Sequence, residues 1–350
     1  MTSSVEPGAA GERERSYLVV GFVLLLVVLC GLFYYKWGGA IRTVAGVRAA
    51  GAWSGSATGL TTGGVLRETL FYFRRIWIAL VYGLLIGGAV RAFVSPRRLV
   101  ALLGRGGSVR RQVVAGLAGS PLMLCSCCIT PVFQSVYERG ARLGSALAVM
   151  LASPGLNPAA LLLTFILFPG PLAVARLTAA LAIVFVLPVA LERMFGATLP
   201  PSRSVDRAAE EDVPRSARDV VTRFARALGH LVVQTVPLVA AGVLLSSLVL
   251  PLSVKLSTGG ALVVVALLGA IAVLVALPTF FEIPLAMLLA SLGAPGAATA
   301  MLIAGPIVNL PSLFILARET RPKLAVALAV GVWLLAVGAG MAVSVGAREA

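Results

Sequence analysis

Apolar runs follow one another along most of this chain, at residues 72–94, 109–137, 143–168, 171–195, 227–250, 259–280, 283–292, 295–317 and 323–345. An earlier run extends from Tyr17 to Tyr35. Most reach the roughly 20 residues that a membrane-spanning helix requires. Charges collect in the short segments between runs. Backbone groups inside a bilayer must be satisfied within their own segment, which favours helices. The pattern therefore predicts an all-α, polytopic membrane protein with about eight to nine membrane segments.

The runs fall into two halves. A shift of 152 positions brings Ala148 onto Ala300, Ala152 onto Ala304, Pro154 onto Pro306 and Asn157 onto Asn309, and it superposes the neighbouring runs. Internal repeats are a common building plan for secondary transporters. The expected organisation is a disordered N-terminus (1–15), an N-terminal membrane helix (16–36), a linker (37–69), a first repeat (70–195), a cytoplasmic loop (196–224) and a second repeat (225–346). Whether segment 109–137 crosses the bilayer or re-enters decides between parallel and inverted repeats. Arginines 91, 97, 98, 105, 110 and 111 precede it, Arg139 and Arg142 follow it, and seven more lie within 193–226. The re-entrant arrangement puts these on one, cytoplasmic, side, as orientation by basic loops requires. Inverted repeats are thus the favoured reading, although Arg42, Arg48, Arg67, Arg74 and Arg75 would then lie outside.

Composition agrees. The 350 residues are 59% hydrophobic and 12% charged, against about 25% charged for a soluble domain. That argues against a disordered chain and a soluble enzyme. The net charge of +15 belongs to loops facing anionic headgroups, so no nucleic-acid partner is expected. No nucleotide-binding or hydrolase motif is present, and neither an enzymatic activity nor a cofactor is expected. The expected partners are the lipid bilayer and a small-molecule solute; homo-oligomerisation stays open.

Three stretches carry candidate chemistry. In the first, Pro121 and Pro131 bracket Cys125, Ser126, Cys127, Cys128 and Thr130. Proline removes a backbone donor, so this stretch is expected to be a broken helix facing a cavity. On a continuous helix Cys125 and Cys128 share a face; unwound, Cys125 and Cys127 do. Thiolates select soft ions such as Cu(I) and Zn(II) and, by the same softness, trivalent arsenic. The competing reading is that buried cysteines are small hydrophobes. The second is the repeated P-x-x-N of Pro154/Asn157 and Pro306/Asn309, helix breaks at matching positions that point to a transporter's central site. Their asparagines either meet solute or cap half-helices. The third is Glu282, the sole acid between Asp219 and Glu319. A carboxylate inside a membrane marks an ion or proton path, against the plainer reading of an interfacial side chain. His230, the lone histidine, reads as interfacial, and Gln134 as cavity-lining.

The cysteine segment, followed by a G-x-x-x-G-S-A-L-A run, Ser153-Pro154-Gly155-Leu156-Asn157-Pro158 and Gly305-Pro306-Ile307-Val308-Asn309-Leu310-Pro311-Ser312, resembles the ArsP_1/DUF318 permease family, also called UPF0718 or YraQ-like, over roughly residues 70–345. Cys128 departs from the family pattern, where glycine is usual. The resemblance implies a multi-pass inner-membrane permease exporting trivalent organoarsenicals such as methylarsenite, with Cys125 and Cys127 as As(III) ligands and no resident metal. The alternative is a membrane thiol-redox or metal-handling protein using Cys125, Cys127 and Cys128.

Overall fold

The computed structural model describes residues 23, 25–42, 45, 62–93, 107–196, 217–255, 261–276, 280 and 282–349, and among them every regular element is a helix. Helix α1 spans Leu25–Arg42. Then follow α2 (Thr62–Phe93), α3 (Ser108–Gly119), a 3₁₀ turn (Ser120–Leu122), α4 (Thr130–Glu138), α5 (Leu143–Gly155), α6 (Pro158–Leu167), α7 (Gly170–Phe185) and α8 (Leu187–Phe195). The remainder comprises α9 (Ala217–Lys255), α10 (Ala261–Leu274), α11 (Glu282–Ser291), α12 (Pro295–Ile307), α13 (Leu310–Glu319) and α14 (Pro322–Glu349).

Helix bounds recur at the spacing seen in the sequence. Thr130, Leu143, Pro158 and Gly170 open α4 to α7, and residues 152 positions later, Glu282, Pro295, Leu310 and Pro322, open α11 to α14. Proline recurs in the first turn of α4, α6, α7, α12 and α13, where its missing N–H would have had no partner. Two predicted bounds shift. Helix α1 continues to Arg42 and α2 begins at Thr62, so helix intrudes on both ends of the expected linker 37–69. The Phe33-Tyr34-Tyr35 cluster at the end of the apolar run therefore lies within the helix. Similarly, α9 starts at Ala217, inside the expected loop 196–224. The expected disordered segment 1–15 lies outside the described residues.

Among the described residues, four helices are long and apolar enough to cross a membrane, or up to six if each bent pair α5/α6 and α12/α13 is one span, fewer than the eight to nine segments expected. Helix α14 shows how such a helix divides its faces. Leu324, Leu328, Val332 and Ala336 recur every four residues and are wholly buried, whereas Val326, Val330 and Leu334, two positions on, are exposed. An apolar stripe facing outward is unfavourable in water but matches lipid.

Glycines set the closest approaches. Helices α12 and α14 cross where Gly296 and Gly340 meet backbone to backbone. Helix α2 lies against the cysteine segment because Gly83 faces the Cys128 carbonyl and Gly87 the Pro131 carbonyl. A Cβ at Gly83 would overlap the Cys128 oxygen, and overpacking of this kind costs about 1–3 kcal/mol. Gly338, by contrast, has open space around it. We expect Gly83→Ala to lower the thermal unfolding midpoint of the detergent-solubilised protein and Gly338→Ala to leave it unchanged or raise it. Equal midpoints for both variants would show that α2 does not press on this segment.

Candidate functional site

The site is assembled from two unwound segments and two helix breaks. After the 3₁₀ turn the chain leaves helical geometry, with Met123 at φ 49°, and regains it at Thr130. Pro121 and Pro131 sit in the first turns of the elements that flank this segment. They bound an unwound stretch rather than kink a continuous helix. Within it, the Cys125 carbonyl accepts from the Cys128 and Ile129 amides, each at 3.0 Å. The Thr130 hydroxyl donates to the Cys127 carbonyl at 2.6 Å. The Leu124 amide donates to Ser153 Oγ on α5 at 2.9 Å. These bonds stand in for a missing ladder, since buried backbone groups need partners.

That backbone turns all three thiols inward. Cys125 Sγ lies 2.8 Å from Cys128 Sγ and 3.2 Å from Cys127 Sγ, and the last two are 3.8 Å apart. All three are buried and unbridged. The sequence offered two pairings; the turn brings every sulfur together. Together they could hold a soft ion or a thiol-reactive solute. Ser126 is buried as well. The Thr130 hydroxyl is engaged in closing the turn.

At the helix breaks the chain bends by 40° between α5 and α6 and by 44° between α12 and α13. Pro154 and Pro306 each lie inside the helix, one residue before its end. Asn157 caps α6, its Oδ1 accepting from the Ala159 and Ala160 amides at 3.1 and 3.2 Å. Asn309 caps α13 in a reciprocal box with Ser312. Both asparagines therefore do the capping work that was one of their two expected roles. Asn309 Nδ2, however, is buried with no hydrogen-bond partner among the described residues. Ser120 Oγ donates to the Leu156 carbonyl at 2.7 Å, tying the first break to the cysteine segment. The two breaks adjoin: a methyl group added at Gly155 would lie 3.2 Å from Ile307.

Glu282 opens α11 at the position equivalent to Thr130 and is 1% exposed, so it is no interfacial side chain. Phe280, two residues earlier, has φ 73°. Both unwound segments thus carry a non-glycine residue in the left-handed region, where backbone strain concentrates at functional sites. Pro278, Thr279 and Phe281 lie outside the described residues. The partner of Glu282 was not anticipated. Arg176 on α7 approaches its carboxylate at 3.7 Å and donates to Thr164 Oγ1 at 2.5 Å. Thr164 in turn donates to the Ala160 carbonyl at 2.8 Å. A wholly buried arginine and glutamate thus join the two halves. The signal existed in sequence: Arg176 is the one charge in the apolar stretch 171–191, and a cation inside a span marks function or pairing.

Gln134 makes a second link between halves. Its Nε2 donates to Glu319 Oε1 on α13 at 2.9 Å, and its Oε1 accepts from Thr235 on α9 at 3.1 Å. It is buried and bonded rather than facing an open cavity. His230 is exposed on α9.

Residues 64–345 match the ArsP_1 family, described as a predicted permease. The chain belongs to this permease family. It is 29% identical over 332 residues to the UPF0718 protein YraQ of Escherichia coli (strain K12), covering 92% of this chain and 91% of that one. It is also 26% identical over 119 residues to the UPF0718 protein MJ0584 of Methanocaldococcus jannaschii, 34% of this chain and 33% of the relative. No solved structure matches. The ArsP_1 match takes in the cysteine segment, both breaks, Arg176 and Glu282, and it leaves α1 outside.

Removing one member of a buried ion pair strands the other, at a cost of about 3–5 kcal/mol, while apolar replacement of both costs far less. We expect Arg176→Met and Glu282→Met each to lower unfolding stability in detergent, and the double variant to lose clearly less than the sum. Additive losses in that double-mutant cycle would show that the two residues do not act as a pair.

Proposed function

We propose that this ArsP_1 permease is a secondary transporter of the inner membrane that exports a soft, thiol-binding solute, with trivalent organoarsenicals such as methylarsenite as the leading class. The observation that carries the reading is the convergence of three buried sulfurs beside two abutting helix breaks. A monomethyl As(III) centre carries two exchangeable hydroxyls. Two thiols displace them as two waters, forming two As–S bonds with no change of oxidation state. Cys125 with Cys127, or Cys125 with Cys128, offers such a pair. The third thiol provides a neighbouring partner for exchange, so that a bound solute can leave again. Asn157, Asn309, Ser126 and Thr130 lie in the segments lining this path, and the unpartnered Asn309 amide is the donor best able to meet the solute.

In this reading residues 70–195 and 225–346 form inverted repeats, segment 109–137 re-enters, and the whole fold supplies about eight to nine membrane segments. The adjacency of matching breaks and the matching helix bounds support it. One half moves against the other around the thiols. Glu282 exchanges Arg176 for a proton as they move, which couples transport to the proton gradient. The segment between the halves, ahead of α9 at Ala217, is then cytoplasmic. A second reading, a membrane thiol-redox or metal-handling protein, draws on the same sulfur cluster, whose ligand atoms all lie within 4.8 Å of one another. It predicts stoichiometric soft metal or cycling thiols in the purified protein.

The decisive assay is uptake of methylarsenite by everted membrane vesicles. Wild type should accumulate it, the Cys125→Ser/Cys127→Ser variant at least tenfold more slowly (about 1.4 kcal/mol of lost stabilisation). Collapse of the proton gradient, or Glu282→Gln, should abolish accumulation above equilibrium. Wild-type vesicles that take up none would remove this solute class.

A further inference from the structure

A monomethyl As(III) centre uses two thiols, yet the fold anchors all three cysteines of the turn. The Cys125 carbonyl accepts the Cys128 and Ile129 amides at 3.0 Å. The Cys127 carbonyl accepts the Thr130 hydroxyl at 2.6 Å. Gly83 of α2 gives the Cys128 carbonyl room against that helix, and Ser153 of α5 fixes the entry to the turn through the Leu124 amide. Ligands held in place before a solute arrives lose little freedom when it binds. Cys125 is 5% exposed, whereas Cys127 and Cys128 are wholly buried, so Cys125 meets an arriving solute first.

Number, shape and charge narrow what three such thiols can hold. Among the described residues no histidine or carboxylate is grouped with them, so the cluster does not by itself complete the four ligands of a tetrahedral zinc site. With bonds to sulfur of about 2.3 Å, a tetrahedral centre needs sulfurs about 3.8 Å apart, and a centre whose bonds meet near right angles needs about 3.3 Å. The sulfur separations are 2.8, 3.2 and 3.8 Å, a triangle compact enough for the second. A trivalent arsenic or antimony atom has that shape, with three bonds and a lone pair that takes the place of a fourth ligand. The turn itself is lined by Met123, Leu124 and Ile129, all wholly buried. Three thiolates around Zn(II) or Cu(I) leave net negative charge in these surroundings, and buried charge is costly. Three sulfurs on a trivalent arsenic form a neutral adduct.

We propose that the thiol cluster takes a second solute class beside the organoarsenicals, the uncharged inorganic hydroxides of trivalent arsenic and antimony, each held by all three sulfurs. This rests on the reading that the cluster receives solute, and it gives Cys127 and Cys128 a joint role with Cys125. Each As–OH bond is replaced by an As–S bond, and the thiol proton leaves with the hydroxide as water. Three exchanges release three waters and arsenic stays trivalent. Cys125 makes the first bond; Cys127 and Cys128 complete the adduct.

The test is made by direct binding. Full-length protein carrying Cys30→Ser, which removes the exposed thiol, is purified in lipid nanodiscs and equilibrated with inorganic arsenite or with methylarsenite. Elemental analysis after desalting reads bound arsenic, and arsenic X-ray absorption reads the number of sulfurs around it. Arsenite should bind as a single centre with three sulfurs, methylarsenite with two. Cys128→Ser should weaken arsenite at least about tenfold more than methylarsenite, because only arsenite uses the third sulfur. A ratio of two affinities does not change when part of the sample is unfolded. Arsenite held by two sulfurs and an oxygen in the Cys30→Ser protein overturns the proposal whether or not Cys128→Ser folds. So does an unchanged ratio in Cys128→Ser, or protein that binds methylarsenite and refuses arsenite; this last outcome leaves the exporter reading standing. Vesicles that take up no methylarsenite, while the purified protein holds arsenite on three sulfurs, would do the reverse.

Discussion

A helix that breaks inside apolar surroundings leaves amides and carbonyls that only the protein can satisfy, and the centre of this permease is organised around that demand. At the first break, Asn157 takes two amides of α6 and Ser120 reaches the Leu156 carbonyl. At the second, Asn309 and Ser312 satisfy each other's backbone. Ser153, one residue before the buried proline, receives the Leu124 amide. The same bonds that keep the breaks tolerable hold the cysteine segment against α5. The shape of the thiol cluster is therefore a consequence of backbone accounting, and the chemistry of the site cannot be separated from the fold that permits it.

The two halves match in helix bounds but differ in chemistry. Thr130 and Glu282 open equivalent helices, one closing a turn with its hydroxyl and the other carrying a buried charge. The cysteine segment has a counterpart without cysteines. Arg176 answers Glu282 across the halves, and Gln134 answers Glu319. Each of these two polar links between the halves is thus made of unlike residues. An ion pair in a low-dielectric centre makes this docking of the halves specific.

Much of the fold could be read from the chain. Apolar runs separated by arginine-rich segments required helices in lipid, and the shift of 152 between Pro154/Asn157 and Pro306/Asn309 located both breaks, because proline inside a run has few structural outcomes. The cysteine cluster was visible as composition. Helix ends were less legible: α1 passes through the aromatic cluster to Arg42 and α9 starts at Ala217, since polar and small residues do not stop a helix that packs well.

The sequence by itself determined that this protein is helical, membrane-bound and built on a repeated pattern, because hydrophobicity and proline act locally. Only the tertiary structure decided which residues meet. That Arg176 belongs to Glu282, that the breaks abut at Gly155 and Ile307, and that the turn gathering the three sulfurs rests on α2 and α5 are facts of packing between segments far apart in the chain. Their physical reason is shared. A charge or polar group in an apolar interior must find its partner wherever the fold places one, and nothing in the local sequence records that position.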